Sequence, residues 1–128
     1  MDARGRHMLV EYHGADPAVL QDAERIRALL VEAAEAAGAT VVQVVLHRFS
    51  PQGVSGVVLV EESHLSIHTW PETGYAAVDF YTCGDGDPEA AHQVLIAAFR
   101  PSRWEQMMVE RGLEGPEGMA MRHHRRSG

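Results

Sequence analysis

Between Glu61 and Glu72 the chain sets Glu61, Glu62, Ser63, His64, Ser66, His68, Trp70, Pro71 and Glu72 within twelve residues. Neighbouring stretches that read as strands are plain Val, Ile and Leu, so a core has no need of this density of reactive groups. Two kinds of chemistry are open to it. Metal binding is the first, because His64 and His68 stand four residues apart. On a helix that spacing puts both rings on one face; on a strand it separates them by about 13 Å. Zinc ligands sit about 2 Å from the ion, and the one cysteine, Cys83, leaves no paired-ligand motif. No metal site is expected.

Nucleophilic chemistry is the second. A turn centred on Glu72-Thr73 pairs Ser63 with Thr82, or with Cys83 after a one-residue register change, and cross-strand neighbours approach to about 5 Å. Ser63 and Cys83 are therefore expected near contact. His68 lies further along the strand, about 16 Å from Ser63, too far to join serine and thiol within one chain. Singly, each residue has a plainer reading. A lone strand cysteine is a small buried hydrophobe, polar strand residues mark a wet face, and Phe49 and Trp70 are lids over the core.

The elements that must position these groups follow from periodicity. Arg6 to Tyr12 alternates as a first strand. Asp16-Pro17 opens a helix, as N-cap and first helical residue. Val19, Leu20, Ala23, Ile26, Leu30, Ala33, Ala34 and Ala37 continue it as one apolar stripe, and Gly38 stops it. Thr40 to Phe49, rich in β-branched residues, reads as a strand buried on much of both faces. Pro51-Gln52-Gly53 turns into a strand from Val54 to Val60. Ser63 to Trp70 and Tyr75 to Cys83 make a second hairpin around Pro71-Glu72-Thr73-Gly74. A helix from Pro88 to Phe99 and a last strand from Arg103 to Arg111 complete the order β-α-β-β-β-β-α-β, with an irregular remainder from Gly112. The fold class is α+β: a two-layer α/β sandwich, a mostly antiparallel sheet with two helices on one face. The other face needs a cover, and a dimer is the economical answer.

A chain of 128 residues with no linker makes one domain, residues 1–128. A net charge of −7 argues against a nucleic-acid partner and suits a small cationic substrate. The basic run Arg122, His123, His124, Arg125, Arg126 reads as a solvated tail. No stretch reaches the roughly 20 apolar residues of a membrane span, and Met1-Asp2-Ala3-Arg4-Gly5-Arg6-His7 lacks the apolar run of a signal peptide. With one cysteine and no intrachain disulfide, a cytoplasmic location is expected.

Taken together, Glu62-Ser63-His64-Leu65-Ser66-Ile67-His68-Thr69-Trp70-Pro71-Glu72, Gly74-Tyr75-Ala76-Ala77-Val78-Asp79 and Thr82-Cys83-Gly84 closely resemble prokaryotic S-adenosylmethionine decarboxylase. Gly5-Arg6-His7, His47-Arg48-Phe49 and Gly53-Val54-Ser55-Gly56-Val57-Val58 look like the same family. The resemblance spans about residues 5 to 100 and then fades, apart from Glu110-Arg111-Gly112. Thr73 departs from it, standing where the family is expected to carry a bulkier residue.

The resemblance implies a proenzyme in which the Ser63 hydroxyl attacks the Glu62 carbonyl and β-elimination cuts the chain. A β chain, residues 1–62, and an α chain, residues 63–128, result. Ser63 becomes a pyruvoyl group, which forms a Schiff base with the substrate amine and acts as electron sink in place of pyridoxal phosphate. His68 matches the proton acceptor in processing, Ser55 a residue assisting it, and Cys83 the proton donor in decarboxylation. A free thiol is mostly protonated at neutral pH and suits that task. Phe49 and Trp70 are candidates to stack on adenine, and Glu72 to face ribose or sulfonium. The product is the aminopropyl donor for spermidine, so polyamine synthesis is the implied pathway. Because strand geometry separates His68 from its own Ser63, a homodimer of αβ units with shared active sites is expected. Two other readings stay open: the same chemistry on arginine or ornithine, and an uncleaved, non-enzymatic regulatory homologue.

Overall fold

The structure, a computed structural model, describes residues 4–112 and 118–127 of the chain. Strand β1 (Gly5–His13) leads into two helices, α1 (Pro17–Gln21) and α2 (Ala23–Ala36). Strands β2 (Val41–Arg48), β3 (Val54–Val60), β4 (Ser63–Trp70) and β5 (Tyr75–Cys83) follow. Helix α3 (Pro88–Phe99) and strands β6 (Arg103–Arg111) and β7 (Ala120–Ser127) complete the described elements. The strands form one antiparallel sheet in the order β2-β3-β4-β5-β1-β6-β7. The α+β class with a mostly antiparallel sheet is as the sequence implies.

Alternation decides the faces. Met8, Val10 and Tyr12 of β1, Leu65 and Ile67 of β4, and Val78 and Phe80 of β5 are buried with Ile26, Leu30 and Ala33 of α2 and Leu95 and Phe99 of α3. Burying a side chain of this size contributes about 1.5–3 kcal/mol. A one-residue slip of β4 would expose Leu65 and Ile67 and bury His64, Ser66 and His68, so the core fixes which side chains reach the other face. That face carries Leu9, Ser55, Leu59, His64, Ser66, His68, Asp79, Tyr81 and Cys83, none of them buried. On the helix side, Tyr12 and His92 are buried together, Oη to Nδ1 at 2.6 Å, and His92 packs edge-on against Trp104. Burial pushes the His92 imidazole pKa down, with the Glu89 charge opposing it.

Four expectations need correction. The single helix from Asp16 to Gly38 is two, broken at Asp22, whose backbone is extended (φ −90°, ψ 98°). Asp22 restarts the helix as an N-cap, its carboxylate accepting from the Arg25 N–H. The expected C-terminal stop holds, since Gly38 at φ 84° lets its own N–H reach Glu35 O and that of Ala39 reach Ala34 O. Among the described residues the order is therefore β-α-α-β-β-β-β-α-β-β, with three helices and not two. Second, β2 is not buried on both faces; it is a sheet edge with no buried residue. Third, the basic run taken for a tail is strand β7, paired along β6 with Arg125 against Glu105. Edge strands carry charge at little cost, because it faces water and discourages further pairing. Fourth, Phe49 and Trp70 are no lids over the core: about half and two-fifths of their surface stays exposed. The reading of Met1, Asp2 and Ala3, and the stretch 113–117 of the irregular remainder, lie outside the described residues.

Candidate active site

Only Glu61 and Glu62 join β3 to β4, with Val60 paired to Ser63. Two-residue hairpin turns favour residues with positive φ, and Glu62 takes φ 68°. A side chain in that left-handed region costs about 1–2 kcal/mol. Strain therefore sits at the residue that precedes Ser63. The Ser63 hydroxyl donates to the Glu62 carbonyl oxygen at 2.6 Å and accepts the Cys83 backbone N–H at 3.1 Å. Serine, adjoining carbonyl and thiol-bearing residue thus meet at one end of the β4–β5 hairpin, in the register expected from the turn at 71–74.

At the other end of the same strands stand Ser55 and His68. They are direct partners across β3 and β4, and Ser55 Oγ lies 2.7 Å from His68 Nδ1. Five residues separate His68 from Ser63, about 16 Å along the strand. One chain therefore holds two half-constellations, Ser63 with Cys83 and Ser55 with His68, and does not bring them together.

The aromatic candidates belong to the Ser55/His68 end. Trp70 follows His68 on the same face and stacks on Tyr75 at 5.1 Å between ring centroids, and Tyr75 stacks in turn on His13 at 5.2 Å. Burial, a hydrogen bond and the nearby charge of Glu11 push the Tyr75 hydroxyl up to about 12. Phe49 packs edge-on against His47, the cross-strand neighbour of Ser55. Glu72 is exposed in the turn beside Trp70.

Sequence reasoning missed a cluster between these ends. Asp79 Oδ2 lies 2.6 Å from His7 Nε2 and 2.9 Å from His64 Nε2, and Ser66 Oγ donates to its other oxygen. Burial raises the Asp79 carboxyl, but hydrogen bonds from Ser66, His64 and His7 and the charge of His64 outweigh it and lower its pKa. The three ligand atoms lie within 4.8 Å of one another, close enough to hold a metal ion. Arg111, always a donor, reaches His7 Nδ1 at 3.4 Å, which leaves the His7 proton on Nε2, facing Asp79. As placed, His7 offers Asp79 a proton and a metal no lone pair. No local signal marks this group, because its members come from three strands, His7 from β1, His64 and Ser66 from β4 and Asp79 from β5.

Cys83 is a free thiol, half-buried. The Tyr81 phenol two residues before it has its pKa raised, first by interaction with the Cys83 side chain and then by burial, with the Arg111 charge opposing.

The chain matches a family model described as S-adenosylmethionine decarboxylase over residues 6–112. It is 51% identical over 114 residues to the S-adenosylmethionine decarboxylase proenzyme of Caldicellulosiruptor saccharolyticus, covering 88% of this chain and 92% of that one. Identity to the proenzyme of Moorella thermoacetica is 46% over 123 residues, covering 94% and 98%. A solved adenosylmethionine decarboxylase of Aquifex aeolicus superposes with a TM-score of 0.77 at 39% identity, covering 89% of this chain and 95% of that one. These matches fall in one class, decarboxylases. The chain belongs to the S-adenosylmethionine decarboxylase family. No helix among the described residues is long and apolar enough to cross a membrane.

Proposed function

We propose that the chain is a proenzyme that cuts its own Glu62-Ser63 bond and then decarboxylates S-adenosylmethionine with a pyruvoyl group made from Ser63. The observation that carries this reading is the Ser63 hydroxyl held 2.6 Å from the Glu62 carbonyl oxygen, beside Cys83. Attack by Oγ on that carbonyl carbon breaks the amide and forms an ester, relieving the left-handed backbone at Glu62. A base then takes the Ser63 α-proton, the ester C–O bond breaks with Glu62 leaving as carboxylate, and water releases ammonia from the dehydroalanine left behind. His68 is the base, since neutral imidazole accepts a proton near pH 7, and Ser55 fixes its ring through Nδ1.

The pyruvoyl group, once formed, supplies an electron sink for the amine-bearing carbon of the substrate. Cys83 supplies the proton that replaces carbon dioxide. The substrate's adenine stacks against Phe49 and Trp70, and Glu72 faces ribose or sulfonium.

The site is shared between two copies. A two-fold axis lying between two open faces and across their strands sets the Ser63 end of one copy on the Ser55/His68 end of the other. Leu9 and Leu59, each more than two-fifths exposed, then become interior. The depression between His68 and Asp79 on one copy measures about 160 Å³, whereas ligand clefts run to about 300 Å³ or more; a second copy completes it. A reducing compartment such as the cytoplasm keeps Cys83 a thiol. Relatives at half identity carry the S-adenosylmethionine name, which favours that substrate over arginine or ornithine and an enzyme over an uncleaved regulator.

Steady-state release of carbon dioxide from the three substrates tests this. Turnover of S-adenosylmethionine alone is expected, and turnover of arginine or ornithine without it overturns the assignment. On a denaturing gel, wild type is expected as two bands and Ser63→Ala as one.

A further inference from the structure

Tyr81 and Cys83 stand two residues apart on β5, so both side chains point to the open face. The register sets Gly5 of β1 opposite Cys83 on one side and opposite Arg111 of β6 on the other. Gly5 leaves a gap there, and the two β5 side chains fill it. Tyr81 Cε1 lies 3.0 Å, and Cys83 Sγ 3.2 Å, from the point a Cβ on Gly5 would occupy. Across the ring, the Arg111 guanidinium carbon lies 4.6 Å from its centroid, and His7 tilts against it at 5.4 Å. Arg111 also donates to His7, and His7 to Asp79. The ring is therefore braced by contacts that run from Asp79 through His7 and Arg111, and its edge and Cys83 Sγ share the gap over Gly5.

We propose that Tyr81, braced by Arg111 and His7, is a positioning residue for Cys83, its hydroxyl donating to Sγ and leaving the thiol proton aimed at the Ser63 end. The proposal deepens the reading above and rests on Cys83 being the proton donor. When the thiol proton passes to the substrate α-carbon, the S–H bonding pair stays on sulfur, and solvent later restores the proton. A thiolate is a stronger acceptor than a thiol, so the Tyr81 hydrogen bond tightens as the proton leaves and favours the transition state over the ground state.

Tyr81→Phe in the processed enzyme removes the hydroxyl and keeps the ring under Arg111. It is expected to lower kcat by about threefold or more while KM stays within about twofold. Iodoacetamide should alkylate Cys83, the only cysteine in the chain, about threefold more slowly at neutral pH, because the thiolate has lost its donor. The thermal midpoint serves as the fold control. Unchanged kcat and unchanged alkylation overturn the proposal. So does an equal fall in kcat when Tyr81→Phe is placed in a Cys83→Ala background, since the effect would not then run through the thiol. If Cys83→Ala alone keeps wild-type turnover, the donor assignment fails, and the alkylation rates still decide whether Tyr81 holds the sulfur.

Discussion

Chains carrying His68→Ala and chains carrying Ser63→Ala should each stay whole alone, and mixing should restore cleavage of the His68→Ala chains. The magnitude follows from the sheet. Ser55 pairs with His68, and Val60 with Ser63, so the two reacting groups are five residues apart, about 16 Å on one rigid strand. Direct proton transfer needs a separation of about 3 Å, or one bridging water. No rotamer closes that gap, and moving β4 would break its pairing on both sides. In a mixed dimer, one site joins the intact Ser63 of the His68→Ala chain to the intact His68 of its partner, and the other site lacks both. Random pairing of equal amounts makes about half of the dimers mixed. About half of the His68→Ala chains in the unselected mixture, and nearly all of those in dimers purified through both tags, should then be cut, and none of the Ser63→Ala chains. Co-expression with different tags, purification through both and a denaturing gel read the result. Uncut His68→Ala chains in a proven mixed dimer refute the shared site, as does efficient cutting of His68→Ala chains on their own.

Three further outcomes follow from single contacts. Ser55→Ala removes the 2.7 Å partner of His68 Nδ1 and should slow self-cleavage by up to about tenfold, read as a gel time course. Thr69, buried, accepts the Val54 N–H and donates to the Leu20 carbonyl, both at 2.9 Å, tying α1 to β4. Thr69→Val should lower stability by about 1–3 kcal/mol in urea unfolding, with the m-value unchanged. Asp79 has its folded pKa lowered by its three donors. Its contribution to stability is full above the ordinary carboxylate value and is lost as pH falls through the folded one. Asp79→Asn should flatten the acid limb of a stability–pH curve between about pH 5 and pH 2, and an unchanged limb would show that Asp79 does not supply it.

The hairpin was legible because it is local. Residues 71–74 announce a turn, and counting outward from it brings Ser63 to Cys83 and denies Ser63 its own His68 without reference to any other strand. Asp22 was not, since Val19, Leu20, Ala23 and Ile26 keep helical spacing straight across the break. Its only sign is a second capping aspartate soon after Asp16. Strand β2 misled because Val and Leu read as buried, whereas burial depends on where a strand lies in the sheet, and β2 lies at its edge. Strand β7 hid behind its charge, which an edge tolerates. The His7–Asp79–His64 group and the Arg111 brace on Tyr81 come from sheet order, with His7 and Asp79 72 residues apart. No window of sequence contains them.

The central claim is that Ser63 ends as the group that does the chemistry. The intact mass of the fragment beginning at position 63 tests it most directly. The account predicts a cut between Glu62 and Ser63 and an α chain lighter by one ammonia than a serine-ended peptide. An uncut chain, a cut at another bond or an unmodified serine at the new end would contradict it.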